Sequence, residues 1–197
     1  MISPTRPAVD GFVARLRQDP CCAAIVADSQ LPGALASRVP MIVLLRGNGL
    51  AIGPTVERIQ AAGKLAAIHL DLIDGVHADV QGVAWLARSG ADAIITSHGR
   101  LMTAIRDEGV IAIQRLLLSR RTHLDTAFTA VARARPDIVE VLPGVLLPSL
   151  ADVMPRFDVP LLAGGFIRTD EDLRAVLAAG AAGITTSAEN LWSWDVG

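Results

Sequence analysis

The chain has 197 residues, 51% of them hydrophobic and 19% charged, with a formal net charge of −2. Such a length and apolar content can bury a sizeable core within one domain, and they exclude a disordered or low-complexity chain. The apolar runs stay well below the roughly 20 residues that span a bilayer, and the opening MISPTRPAVDG lacks the apolar centre of a signal peptide. A cytoplasmic protein with no membrane partner is therefore expected, and the acidic balance without any Tyr argues against a broad basic, aromatic nucleic-acid platform.

In chain order, Val9 to Gln18 has helical spacing and precedes the first apolar run, so residues 1–20 are expected to form a helix that plugs or flanks one end of the domain. The adjacent Cys21 and Cys22 suit neither a structural disulfide nor a zinc cluster and read as small buried hydrophobes. Strands are predicted at Ala23 to Ala27, Met41 to Leu45, Ala66 to Ile73, Ala93 to Thr96, Val110 to Leu117, Ile138 to Leu142, Val159 to Leu162 and Gly183 to Thr186. Helical patterns lie between them at Gly53 to Gly63, Ala78 to Arg88, Gly99 to Glu108, Thr122 to Arg135 and Thr169 to Ala179, each closed by a Gly or Pro stop signal. Continuous apolar strands alternating with helices imply a parallel sheet buried on both faces. About eight such units fit an α/β fold of the closed (β/α)8 barrel type, a small TIM barrel forming one domain over residues 1–197. At this length some of its helices must be short and its loops lean. No GxGxxG follows the first strand to support an open doubly wound sheet.

In such a barrel, binding and chemistry belong at the C-terminal ends of the strands. Polar residues recur there: Asp28 and Ser29, Arg46 to Asn48, His69, Asp71 and Asp74, Thr96 to His98, Gln114 and Arg115, Glu140, Gly164 and Gly165, then Thr186 and Ser187. The stretch AGGFIRTDED, Ala163 to Asp172, has two readings. Its glycines let backbone approach an anion ahead of a helix start, or they simply turn the chain before a capping box of Thr169 and Asp172. Its place after the seventh strand, beside TTSAEN after the eighth, coincides with the fold's usual phosphate position and favours the first reading. Gly164, Gly165, Thr186 and Ser187 are accordingly the expected phosphate contacts.

With those residues in view, the chain resembles the glycerol-3-phosphate-responsive antiterminator family. The matching stretches are IHLDLIDGV at Ile68 to Val76, GADAIITS at Gly90 to Ser97, AIQRLLL at Ala112 to Leu118, PDIVEVLPG at Pro136 to Gly144, PLLAGGFIRTDEDL at Pro160 to Leu173 and AGAAGITTSAENLW at Ala179 to Trp192. The resemblance implies a regulator that binds leader mRNA when a phosphorylated effector, glycerol-3-phosphate, occupies the barrel mouth, without a cofactor or metal. It implies effector contacts from Asp71, Gln114, Arg115 and Glu140 besides the four phosphate residues. Arg46 and Asn48, on the loop after the second strand, join the glycerol-binding set, although the family there usually carries Thr-Gly-His/Asp. His98 likewise stands where the family usually has a lysine.

Alternatives stay open for several of these residues. His69 and Asp71, two apart on one expected strand, would face the same way and offer an HxD metal pair, but no third ligand is evident. Glu140, set among aliphatic residues, needs a partner, and Arg115 is the obvious one, either as a register-setting pair or as part of the ligand site. Arg120 and Arg121 are the expected RNA contact, presented twice by a homodimer, and with Arg115, Arg133 and Arg135 they form the densest positive run, though a solvated helix start would also carry them. Trp192 and Trp194 are expected at the barrel base or a subunit contact. The enzyme alternative is a phosphate-binding barrel acting as an isomerase or phosphodiesterase. Schiff-base chemistry is disfavoured, because Lys64, the only lysine, precedes the third strand at the opposite face.

Overall fold

In the computed structural model, which describes residues 6–195, eight parallel strands close into one ring in sequence order. They are β1 (Cys21–Ile25), β2 (Met41–Leu44), β3 (Leu65–His69), β4 (Ala93–Thr96), β5 (Ile111–Leu117), β6 (Ile138–Leu142), β7 (Leu161–Gly164) and β8 (Gly183–Thr186). Helix α1 (Arg6–Gln18) precedes them; α2 (Leu31–Ala36), α3 (Ile52–Ala61), α4 (Val80–Arg88), α5 (Met102–Asp107) and α6 (Leu124–Ala134) follow the first five strands, and α7 (Asp170–Ala178) follows β7. This is the predicted (β/α)8 barrel, made small by economy. Short 3-10 turns at Gly144–Leu150, Met154–Arg156 and Glu189–Leu191 stand in place of full helices after β6 and β8.

Every strand is buried on both sides, and alternation divides its residues between two cores. Cys22, Ala24, Met41, Val43, Ala67, Ile95, Ile113, Ile138 and Leu162 point into the barrel. Their neighbours Cys21, Ala23, Ile42, Ile68, Ile94, Ala112, Val139, Ala163 and Ile184 face the helices. Both cysteines are thus free, buried hydrophobes, as expected; burial pushes the Cys21 thiol up to about 12.

Phe12, Val13 and Leu16 of α1 join the inner core, and Leu16 lies under Gly183 at the start of β8, so α1 plugs the N-terminal end of the barrel. Each such side chain contributes about 1.5–3 kcal/mol on burial. The first five residues of the expected N-terminal segment lie outside the described residues. Polar groups at this end serve the fold. Asp92 and Asp137 accept the amide protons of Ala66 and Ala112, each at 2.8 Å. Lys64 donates to the carbonyls of Ser37 and Val39 at 2.7 and 2.9 Å, so the only lysine is engaged far from the strand ends where ligands bind.

β1 lies two residues earlier than predicted, at Cys21–Ile25, β2 and β5 are each one residue shorter, and β3 and β7 differ for identifiable reasons. β3 stops at His69 because Leu70–Leu72 turns as a 3-10 helix, and β7 starts after Pro160, whose nitrogen cannot donate to the ladder, and runs on into Gly164. Helix α7 opens on the predicted capping box: the Thr169 hydroxyl accepts from the Asp172 amide at 3.1 Å, and the Asp172 carboxylate accepts from the Thr169 amide at 3.0 Å. Thr169→Ala is expected to lower the unfolding free energy by about 1 kcal/mol in urea titrations while leaving phosphate binding unchanged. A loss of binding would mean that the cap also serves the ligand.

Candidate functional site

At the C-terminal mouth, β5, β6, β7 and β8 bring together a buried polar network. Arg115 and Glu140 are direct cross-strand partners, and Gly164 pairs with Thr185 on the next ladder but one. Glu140 is fully buried; its Oε2 accepts from Arg115 Nε at 2.7 Å, and its Oε1 accepts from the Thr185 hydroxyl at 2.7 Å. A Cβ on Gly164 would come within 2.7 Å of Thr185 Oγ1 and 3.0 Å of Glu140 Oε1, so glycine there leaves room for the network. Arg115, with its side chain 17% exposed, links the network to a cleft of about 500 Å³ whose wall includes Gly165, Phe166, Arg168, Ser187 and Asn190.

The loops after β7 and β8 frame this cleft. Gly165 and Phe166 both have positive φ, +83° and +61°. The first is natural for glycine; the second is costly for an aromatic residue and holds Phe166 out at the rim, 70% exposed. The Thr186 hydroxyl donates to the Ile167 carbonyl at 2.7 Å and accepts from the Ala188 amide at 3.1 Å, tying one loop to the other. Trp192, expected at the barrel base, lies instead at this end: its indole donates to the Thr186 carbonyl at 2.9 Å, and its ring reaches toward Gly33. Trp194 is the more peripheral, with Arg174 over its ring.

The expected phosphate contacts Gly164 and Gly165 lie before α7, and the helix start itself adds little to them. Its first turn already carries Asp170, Glu171 and Asp172, so charge disfavours an anion there, and the Thr169 cap occupies the Asp172 amide. The backbone facing the cleft is earlier in the loop. The amides of Gly165 and Ser187 have no partner among the described residues.

On the opposite side of the mouth, Asp71 follows β3 in the 3-10 turn, which removes the two-residue alternation that would have aligned it with His69 as a metal pair. Its carboxylate accepts from the Thr96 hydroxyl and, at 2.8 and 2.6 Å, from the Ser97 amide and hydroxyl. Burial pulls its pKa up, but the hydrogen bonds from Ser97 and Thr96 outweigh burial and hold the carboxyl below the usual range. Asp71 thus clamps the loop after β4. His69 is 3% exposed; burial first, and then Arg115, bring its pKa down to about 4.

Gln114, expected at the ligand, faces the other way. It neighbours the inward Arg115 on β5, so alternation sends its side chain into the helix layer beside Gly99.

The comparisons with known proteins meet this geometry at the barrel mouth. The family model described as glycerol-3-phosphate responsive antiterminator matches residues 21–192, a span that contains every strand and the whole cleft. The chain belongs to the glycerol-3-phosphate-responsive antiterminator family. This places it among regulators rather than enzymes. It is 33% identical over 179 residues to the uncharacterized protein YgcP of Escherichia coli (strain K12), covering 90% of this chain and 94% of that one. The glycerol uptake operon antiterminator regulatory protein of Listeria monocytogenes str. 4b F2365 superposes with a TM-score of 0.84 at 26% identity, over 89% of this chain and 96% of that structure. A glycerol uptake operon antiterminator-related protein of Thermotoga maritima MSB8 shares the fold, with a TM-score of 0.79 at 22% identity over 88% and 97%.

Within this antiterminator-family barrel, the remaining expected site residues are dispersed. Arg46 is exposed on the loop after β2. Asn48 caps the next 3-10 turn, its Oδ1 accepting from the Leu50 amide at 2.9 Å, and lines a separate hollow of about 660 Å³ with Val76, His77 and Trp85. Arg120 is exposed at the start of the turn before α6, whereas Arg121 donates to the Ser149 carbonyl at 3.2 Å and pairs with Asp152. Arg133 and Arg135 lie at the far end of α6, and Arg115 is in the cleft, so the densest positive run in sequence is three separate places in space. Thr185, Phe166, Arg168 and Asn190 are polar or exposed cleft residues that sequence reading missed. The Thr185-Thr186 pair offered no way to decide which hydroxyl faces inward, and Phe166 and Arg168 looked like ordinary loop residues.

Among the described residues, no helix is long and apolar enough to cross a membrane.

Proposed function

We propose that this protein is a cytoplasmic regulator that binds glycerol-3-phosphate, or a close phosphorylated polyol, in the β5–β8 cleft and binds leader mRNA in response, without a cofactor or metal. The observation that carries this reading is the cleft itself. A guanidinium held in place by a buried carboxylate stands opposite two loops with free backbone amides, at the end of the barrel where such ligands bind. Gly165 and Ser187 offer N–H groups to the phosphate, and Arg115 and Arg168 balance its charge. Gly164 and Thr186 keep the loops in register. Glu140 acts through Arg115, and Asp71 acts through the Ser97 loop, so both position the site rather than bind as free acceptors.

Calorimetric titration with glycerol-3-phosphate, inorganic phosphate and a panel of phosphorylated sugars tests the reading. Glycerol-3-phosphate should bind most tightly, and RNA from the leader of a glycerol-utilisation operon should be retained on a filter only in its presence. Gly165→Val should abolish binding, because a β-branched residue is strained at φ +83° even though the nearest atoms to a Cβ there are 3.8 Å away, so the loop must shift and carry its free amides off the anion; circular dichroism checks that the barrel persists. Undiminished affinity in that variant would remove the phosphate assignment.

A further inference from the structure

Hydrogen-bonding capacity at the barrel mouth is unevenly used. Asp71 accepts three hydrogen bonds, Glu140 has a donor on each oxygen, and the Thr186 hydroxyl both donates and accepts. Among the buried polar side chains facing the barrel interior, His69 alone has neither ring nitrogen bonded to another described residue. Buried polar groups are nearly always paired, and the exceptions mark places where another molecule supplies the bond. Gln114 Oε1 is also unpaired, but it faces the helix layer, out of reach of the cleft.

The position of His69 gives this capacity a direction. It ends β3, two residues beyond the inward Ala67 and paired with the inward Ile95, so its ring lies in the topmost inner layer. The charged groups that bear on it are Arg115, Asp71 and Glu140. In a ring of eight consecutive strands, β3 stands across from β7. His69 does not line the cleft and neither ring nitrogen is open to solvent, so a ligand anchored by its phosphate on the loops after β7 and β8 reaches the ring only when its carbon chain displaces the side chains between them, Arg115 being the charged group of the cleft that bears on His69. The ring is neutral at pH 7, since its pKa lies near 4, and a neutral imidazole offers one donor and one acceptor. A hydroxyl suits whichever nitrogen it meets, accepting from the N–H or donating to the bare nitrogen; an alkyl chain suits neither.

We propose that His69 is the specificity-determining residue of the site, hydrogen-bonding one hydroxyl of the ligand's hydroxylated end through one ring nitrogen. The inference rests on the effector reading of the cleft and assigns to His69 the hydroxyl recognition expected of Asp71.

The test compares glycerol-3-phosphate, propyl phosphate and inorganic phosphate by calorimetry on the wild-type protein, His69→Leu and His69→Gln. Wild type should prefer glycerol-3-phosphate to propyl phosphate. His69→Leu should lose at least about 10-fold in affinity for glycerol-3-phosphate, bringing it level with propyl phosphate, and should bind the other two ligands as before. His69→Gln, which can still donate and accept, should recover part of the loss. A readout on the unaltered protein stands beside these variants. With 15N-labelled histidine, the ring resonances of His69, assigned by replacing His77, His98 and His123 in turn, should move on adding glycerol-3-phosphate and stay in place with propyl phosphate. Unchanged glycerol-3-phosphate affinity in His69→Leu, equal losses for all three ligands, or unmoved His69 resonances would overturn the assignment while leaving the effector reading intact. Failure of the wild-type protein to bind any of the three would overturn both.

Discussion

Arg115→Ala is expected to destabilise the protein by about 3–5 kcal/mol and to abolish binding of phosphorylated ligands. The carboxylate of Glu140 is fully buried, and its donors among the described residues are Arg115 Nε and the Thr185 hydroxyl, both at 2.7 Å. Removing the guanidinium leaves a buried negative charge with one neutral donor, the situation in which breaking an ion pair is most damaging. Glu140→Gln in the same chain should restore much of the stability, because the amide oxygen can still accept from Thr185 and the charge is gone. Ligand binding should not return, since the cleft lacks its inner cation. Urea unfolding followed by tryptophan fluorescence, with calorimetry on the folded fraction, separates the two effects. A single-variant loss under about 1 kcal/mol would show that the pair is more solvated than its geometry states.

This pair also shows how far the sequence could be read. Glu140 among Ile138, Val139, Val141 and Leu142 advertised a need for a cation, and Arg115 on the preceding strand was the natural candidate; the ladder places the two residues face to face. The strands themselves were legible because apolar runs bounded by Gly, Pro and charge recur in a β/α rhythm. Inward and outward orientation was not. A strand buried on both faces has no alternation of polarity, so nothing in AIQRLLL says that Arg115 enters the barrel and Gln114 leaves it, and nothing in GITTS separates Thr185 from Thr186. One known inward residue would have settled both, since registers propagate around a closed ring. The end of β3 failed for a related reason: LDLI is as apolar as a strand, and only the hydrogen bonds from Thr96 and Ser97 reveal that Asp71 sits on a turn. The capping box of α7 was legible from Thr169 and Asp172 alone. Once accepted, it counts against an anion at that helix, a conflict visible in the sequence that the barrel rule overrode.

The RNA contact proposed at Arg120 and Arg121 has the second large expected effect. Replacing both with Glu should remove effector-dependent RNA retention at about 0.1 M salt and leave glycerol-3-phosphate affinity within about twofold, because neither residue lines the β5–β8 cleft. The two arginines are not equivalent. Arg121 already donates to Ser149 and pairs with Asp152, so part of its charge is balanced within the protein, whereas Arg120 stands exposed at the head of the same turn. Arg120→Ala should therefore weaken RNA binding more than Arg121→Ala. Asp152→Asn, which frees Arg121, should strengthen it. Removing one arginine–phosphate pair lowers the slope of log affinity against log salt by about 0.7 for a single strand, so the double variant should show a slope shallower than wild type by about 0.7 for Arg120 and by less for the partly balanced Arg121, wherever binding remains measurable. A homodimer carrying two such faces would double that difference and make binding depend steeply on protein concentration. An unchanged salt slope in the double variant would move the RNA-binding surface to another face of the barrel and leave the effector cleft as the part of the proposal that stands.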